Sequence, residues 1–258
     1  MRLFGPDIFP EEDREAVSAL WAWFDLAGSD LATLEDAMLI RAGEKPENKV
    51  MAAAWTKVVR KAGQSGRDLK PLADRLEATS RLRTGDGPAT GKDLGPFVHL
   101  LGGSFAETLA LMKGFRGSWQ RRAAAQFEHG IILIDYLART PELARKGITL
   151  YCKSDMSDLG ITTRALAGAS PPAKFERLAW KQSVRARDFL AGARPLILDM
   201  DWGDRLYAKR VWLTALERVL ALEKAGFDVW QGVPELSRVA HARVRIQSIF
   251  GKAAFQNA

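Results

Sequence analysis

The 258-residue chain holds a single cysteine, three histidines and three tyrosines. Cys152 has no partner within the chain, which excludes an internal disulfide and fits a reducing compartment. His99, His129 and His241 are too far apart in sequence to read as a zinc motif. No apolar run approaches the length of a membrane span, and the stretch from Met1 to Pro10 lacks the charged-then-apolar order of an export signal. There is no HExxH and no Walker loop, and Gly85, Gly87 and Gly91 miss the dinucleotide spacing by one residue. Ser104, in GGSFA, lacks the closing glycine of a nucleophile elbow and reads instead as a small residue for close helix packing.

Alternating, period-two strand patterns are also missing, and what remains is helical. Apolar residues recur at spacings of three and four through most of the chain. A first helix is expected from Pro10 and its acids Glu11, Glu12 and Asp13 to about Gly28, burying Val17, Leu20, Trp21 and Phe24. Further helices read at Leu31 to Arg41, Pro46 to Lys61 and Leu69 to Leu82, separated by Gly43, Gly63 and Gly66. Thr84 to Gly91 is a loop, followed by helices at Asp93 to Met112 and Trp119 to Leu137 and an irregular stretch from Thr140 to Pro172. The C-terminal third reads as helices at Ala173 to Leu190, Arg205 to Ala225, with Asp204 as its N-cap, and Pro234 to Phe250. With no repeat, low-complexity tract or linker, residues 1–258 read as one all-α, single-domain bundle of about eight helices. The tryptophans, Trp21, Trp23, Trp55, Trp180 and Trp212 among them, fall at helical spacings and read as core.

Lysine and arginine number 38 against 31 acids, a net charge of +7. The excess favours anionic partners such as phosphates or acidic lipid surfaces, but most of it belongs on solvated helix faces, and nucleic acid is not an expected partner. No amphipathic anchor stands out, so attraction to anionic vesicles is expected to be weak and salt-sensitive.

A helical magnesium site needs carboxylates four residues apart, and outside the first fifteen residues no such pair exists. Asp135 interrupts the apolar run Ile131 to Leu137 and calls for a partner, for which Arg139, one turn on, is suited. Glu128 and His129, earlier on the same helix, are candidates for the same interior. Arg145 and Lys146, beside Gly147 and before Tyr151, form a candidate anion-binding turn.

Three stretches, FPEEDREAVSALWAWF, IILIDYLARTPELARKGITLYCKSDMSDLGI and SVRARDFLAGARPLI through VWLTALERVLALEKAGFDVW, together resemble the squalene/phytoene synthase family. The resemblance implies a helical bundle of the isoprenoid synthase type and a family activity that joins two prenyl diphosphates. The family's first DxxxD corresponds to Gly28-Ser29-Asp30-Leu31-Ala32, and the arginine before it to Asp25. The second keeps Asp135 but has Arg139 four residues on. LARTPELARKG is similar to a non-catalytic branch, the mitochondrial complex I assembly factor and its bacterial relatives. The resemblance thus implies a protein without prenyl transfer activity that binds a lipid, a prenyl diphosphate or a protein partner, in respiratory-complex assembly; the ligand-binding candidates are Glu128, Asp135, Arg139, Arg145, Lys146 and Tyr151. No cofactor is expected, and the location is the cytoplasm, with peripheral contact to the inner membrane. The alternative is an active head-to-head prenyltransferase of carotenoid, squalene or hopanoid biosynthesis, with Asp25, Asp30, Glu128 and Asp135 rebuilding a magnesium site.

Overall fold

A computed structural model describes residues 2–28, 33–53, 55, 56, 59 and 70–250. Ser29, Asp30, Leu31, Ala32, Gly63 and Gly66 lie outside the described residues. Among those described there is no strand, as the lack of period-two patterning predicts.

Helix α1 spans Glu11–Ala27 with Pro10 at its N-cap, and Val17, Leu20, Trp21 and Phe24 are all buried. Helix α2, Leu34–Arg41, is opened by a reciprocal capping box in which the Asp36 amide donates to Thr33 Oγ1 and the Thr33 amide to Asp36 Oδ2. Described residues from 49 to 59 are helical, and α3 follows at Lys70–Arg83. Helix α4, Gly91–Val98, and α5, Ser104–Lys113, are joined by one π-helical turn, His99–Gly103. The long α6, Ser118–Ala138, runs against α10, Phe175–Asp199, and among the described residues this pair makes the most extensive helix contact.

The stretch expected to be irregular holds three short helices, α7 at Thr140–Arg145, α8 at Lys153–Leu159 and α9 at Thr163–Leu166. Helix α11, Trp202–Lys224, is followed by α12, Arg238–Phe250. Two expectations need correction. The N-cap of α11 is Asp201, whereas Asp204 lies in the first turn and pairs with Lys113 at 2.7 Å. Trp21, Trp23, Trp55 and Trp212 are core, but Trp180 is half exposed on the outer face of α10.

The buried side chains form one continuous cluster that runs from Leu3 and Phe4 to Val244. Close approach of α6 to its neighbours depends on glycine. A Cβ at Gly130 would lie 2.7 Å from Leu190 Cγ and 3.0 Å from the Ala186 carbonyl oxygen. The carbonyl belongs to a helix backbone and does not yield easily. Gly130→Ala should therefore lower stability by about 1–3 kcal/mol through overpacking, even though alanine is the better helix former. Urea denaturation checks this, and a variant at least as stable as the parent would show that α6 and α10 separate freely.

Candidate functional site

A polar cavity opens between the C-terminal half of α1, α3 and the C-terminal half of α6. It encloses about 380 Å³ and is lined by four arginines, Arg2, Arg75, Arg139 and Arg218, and three carboxylates, Asp25, Glu128 and Asp135. Trp21, Phe24 and Ile131 contribute an apolar wall.

Arg75 is the structural centre of this group. It sits on α3, open to the cavity but with its guanidinium enclosed by protein, and burial pulls its pKa below the ordinary arginine value. Nε donates to the Phe24 carbonyl at 2.7 Å, and Nη1 donates to the Leu101 carbonyl in the π-helical turn. The guanidinium also lies over the Phe24 ring, 3.5 Å from its centroid. Space for it comes from α1: a Cβ at Gly28 would fall 2.5 Å from Arg75 Nη2. The glycine that stands where the resembled family has an aspartate thus makes room for a cation.

The π-helical turn does the same for α6. Its extra residue carries Gly102 onto α6, where a Cβ would lie 2.6 Å from Ile132 Cδ1 and 3.0 Å from Glu128 Cγ. Glu128 is almost fully buried against this turn, and burial pushes its pKa up to about 7 despite the opposing pull of Arg75 and Arg2. At neutral pH its carboxyl is poised between the acid and the anion.

The other two carboxylates are held by arginines. Asp25 pairs with Arg2, whose guanidinium also covers the Trp21 ring at 4.6 Å. Asp135 faces the cavity mouth, half exposed, and Arg139 reaches it at 3.3 Å, the pairing their spacing predicts. Arg139 is braced from the far side by Glu142, which accepts from Nε at 3.0 Å and from Nη2 at 2.8 Å. This bidentate pair holds the arginine's pKa above its ordinary value and the Glu142 pKa below.

The expected site residues therefore divide. Glu128, Asp135 and Arg139 line one cavity, but Arg145, Lys146 and Tyr151 do not. Arg145, the last residue of α7, and Lys146, its C-cap, are exposed, and Lys146 approaches Glu142, the partner of Arg139, at 3.9 Å. Tyr151 is buried and donates to Thr140 Oγ1 at 2.7 Å, since the threonine hydroxyl itself donates to the Leu137 carbonyl. Burial raises its pKa, and it lines a separate cavity of about 340 Å³ with Thr149, Lys153 and Ser157. His129 turns away from Glu128 and packs edge-on against His99 and Phe189, with ring centroids at 5.7 Å and 4.9 Å. Burial lowers its pKa to about 3, so it is a neutral core histidine.

Magnesium, the ion the resemblance implies, needs several free carboxylates that meet at one point. Among the described residues no three of His, Cys, Asp and Glu converge on one point. Asp25 and Asp135 each face an arginine, and Glu128, almost fully buried beside Arg75, is left as a lone carboxyl with no second free carboxylate to share a hard cation. Asp30 lies outside the described residues. These residues do not fit the ion.

No family model matches the sequence, and no curated protein does. Solved structures do match. A dehydrosqualene synthase in complex with a ligand superposes with a TM-score of 0.72 at 15% identity, covering 95% of this chain and 89% of that one. The squalene synthase HpnC from Alicyclobacillus acidocaldarius gives a TM-score of 0.69 at 14% identity, covering 87% of this chain and 88% of that one. The chain has the fold of these synthases, the isoprenoid synthase type; at such identities the likeness establishes the fold alone.

Proposed function

We propose that this protein is a non-catalytic member of the squalene/phytoene synthase group that binds a prenyl diphosphate or a similar amphiphilic anion in the cavity around Arg75. The observation that carries the reading is the arginine-rich lining: four guanidinium groups meet three carboxylates, two of them already paired and the third raised to about pH 7. Arginine is suited to a diphosphate because its planar fork bonds two oxygens at once, and the wall of Trp21, Phe24 and Ile131 suits the first part of an apolar chain. Ionising an allylic diphosphate demands strong stabilisation of the leaving anion, which a metal cluster supplies in metal-dependent chemistry. The arginines here bind the anion without a matching set of metal ligands. The likeness of the Leu137–Gly147 stretch to an assembly-factor branch supports the same non-catalytic reading, with a protein partner acting outside the cavity.

Calorimetric titration with farnesyl and geranylgeranyl diphosphate, with and without magnesium, tests the proposal. Binding is expected without magnesium, little changed by adding it and weakened roughly tenfold by Arg139→Ala, the worth of one charge-assisted pair. The fold shared with two synthases supports the alternative, an active head-to-head prenyltransferase. Binding only in the presence of magnesium, or pyrophosphate release by the unmutated protein, would decide for it.

A further inference from the structure

Helix α12 has two apolar faces. Ala240, Val244 and Ser248 are buried, and the helix lies antiparallel to α11, pinned by Arg210 to Ser248 at 3.3 Å and Arg243 to Glu217 at 3.0 Å. The helical period sets Val239, Ala242, Ile246, Ile249 and Phe250 on the opposite side. There Val239 is 69% exposed, Ile246 60%, Ile249 51% and Phe250 78%. A row of large apolar side chains along one solvent-facing helix is not an ordinary monomer surface.

The charges around this row select its occupant. Arg238, His241 and Arg245 border it on one side, while Arg243 on the other is already paired with Glu217, and α12 contains no acidic residue. The antiparallel pairing also directs Phe250 toward the Trp202 end of α11, where Trp202 is 74% exposed. A symmetric contact with a second copy would oppose these arginines to their own equivalents with no carboxylate on the helix to offset them. An anionic bilayer meets both requirements at once: its acyl region takes the apolar row and its headgroups take the flanking cations. Among the described residues no helix is long and apolar enough to cross a membrane, so the contact is one of lying in the surface.

We infer that the outer face of α12 is a membrane-docking surface for anionic phospholipid, with Ile246 and Phe250 entering the interface and Arg238 and Arg245 contacting headgroup phosphates. This departs from the sequence-based expectation that no amphipathic anchor stands out and that attraction to anionic vesicles is weak and salt-sensitive. The inference goes beyond the cavity reading and does not depend on it.

The test is sedimentation of the full chain with vesicles of phosphatidylcholine alone and of phosphatidylcholine mixed with phosphatidylglycerol. The protein is expected to bind the mixed vesicles, to lose part of that binding in high salt and to retain the apolar part. Ile246→Glu with Phe250→Glu should reduce partitioning about tenfold or more, while Arg238→Gln with Arg245→Gln should remove mainly the salt-sensitive part. All four side chains lie outside the core, and unchanged circular dichroism and melting of each variant confirm that the fold is intact. Failure of the parent to bind mixed vesicles, or equal binding by the double glutamate variant, would overturn the inference. So would a double glutamate variant whose sole change is loss of self-association, because a second copy would then be the occupant.

Discussion

Replacing Arg75 with methionine should lower the stability of the protein by about 3 kcal/mol, because one side chain bonds two backbone carbonyls that have charged-donor hydrogen bonds to lose. The Phe24 carbonyl belongs to the last turn of α1, where the Gly28 amide turns to Asp25 and Leu26 instead. It is one of the orphan acceptors that every helix end must satisfy. The Leu101 carbonyl belongs to the π-helical turn between α4 and α5. Arg75 thus ties three helical segments together through its guanidinium, and methionine preserves much of its apolar stem but none of these bonds. Melting should fall by roughly 10 °C for a chain of this size. Arg75→Lys is expected to fall between the two, since a single ammonium restores the charge beside Glu128 but not both carbonyl bonds. A methionine variant melting within about 2 °C of the parent would show that water replaces the guanidinium at no cost.

How far this site was legible in the sequence depends on which helix each residue occupies. Asp135 and Arg139 share a helix, so their spacing alone predicts the 3.3 Å pair. Arg75 comes from α3 and was missed. The one available signal was its place on the buried stripe of Leu72, Leu76, Thr79 and Leu82, where an arginine has to find partners. Gly28 reads in the sequence as a lost aspartate; only its 2.5 Å approach to Arg75 gives it a role. Arg145, Lys146 and Tyr151 are neighbours in the chain, but Arg145 and Lys146 stand exposed at the C-terminal end of α7, outside the cavity lining, and Tyr151 turns inward to Thr140. The docking face of α12 was hidden for a different reason. Its apolar residues lie on opposite sides, so the pattern looks unfocused until α11 identifies which side is already covered.

Glu128→Gln should make the protein more stable at about pH 8 by roughly 3 kcal/mol while changing little near pH 5. Burial raises the folded pKa of Glu128 from 4.5 to about 7. Below pH 4.5 the carboxyl is protonated in both states and contributes no pH dependence. Between 4.5 and 7 the folded protein keeps a proton that the unfolded chain releases, so stability falls as pH rises, and the penalty is complete above 7. Glutamine has the size of the neutral acid and never ionises. His129 acts in the opposite direction: with its folded pKa lowered to about 3, it contributes stability that grows as pH rises toward 6.5. The parent's profile therefore contains two slopes that partly cancel, and the variant should expose the histidine's rise alone. The difference between the two profiles isolates Glu128, and parallel curves from about pH 5 to about pH 8 would mean that the carboxyl is solvated in the folded state. The same proton bears on the proposed ligand. Once ionised, Glu128 offsets the charge of Arg75 that a diphosphate would use, so the parent's affinity for farnesyl diphosphate should weaken as pH rises through 7. In Glu128→Gln it should not, because the cavity keeps its positive excess at every pH where the arginines are charged.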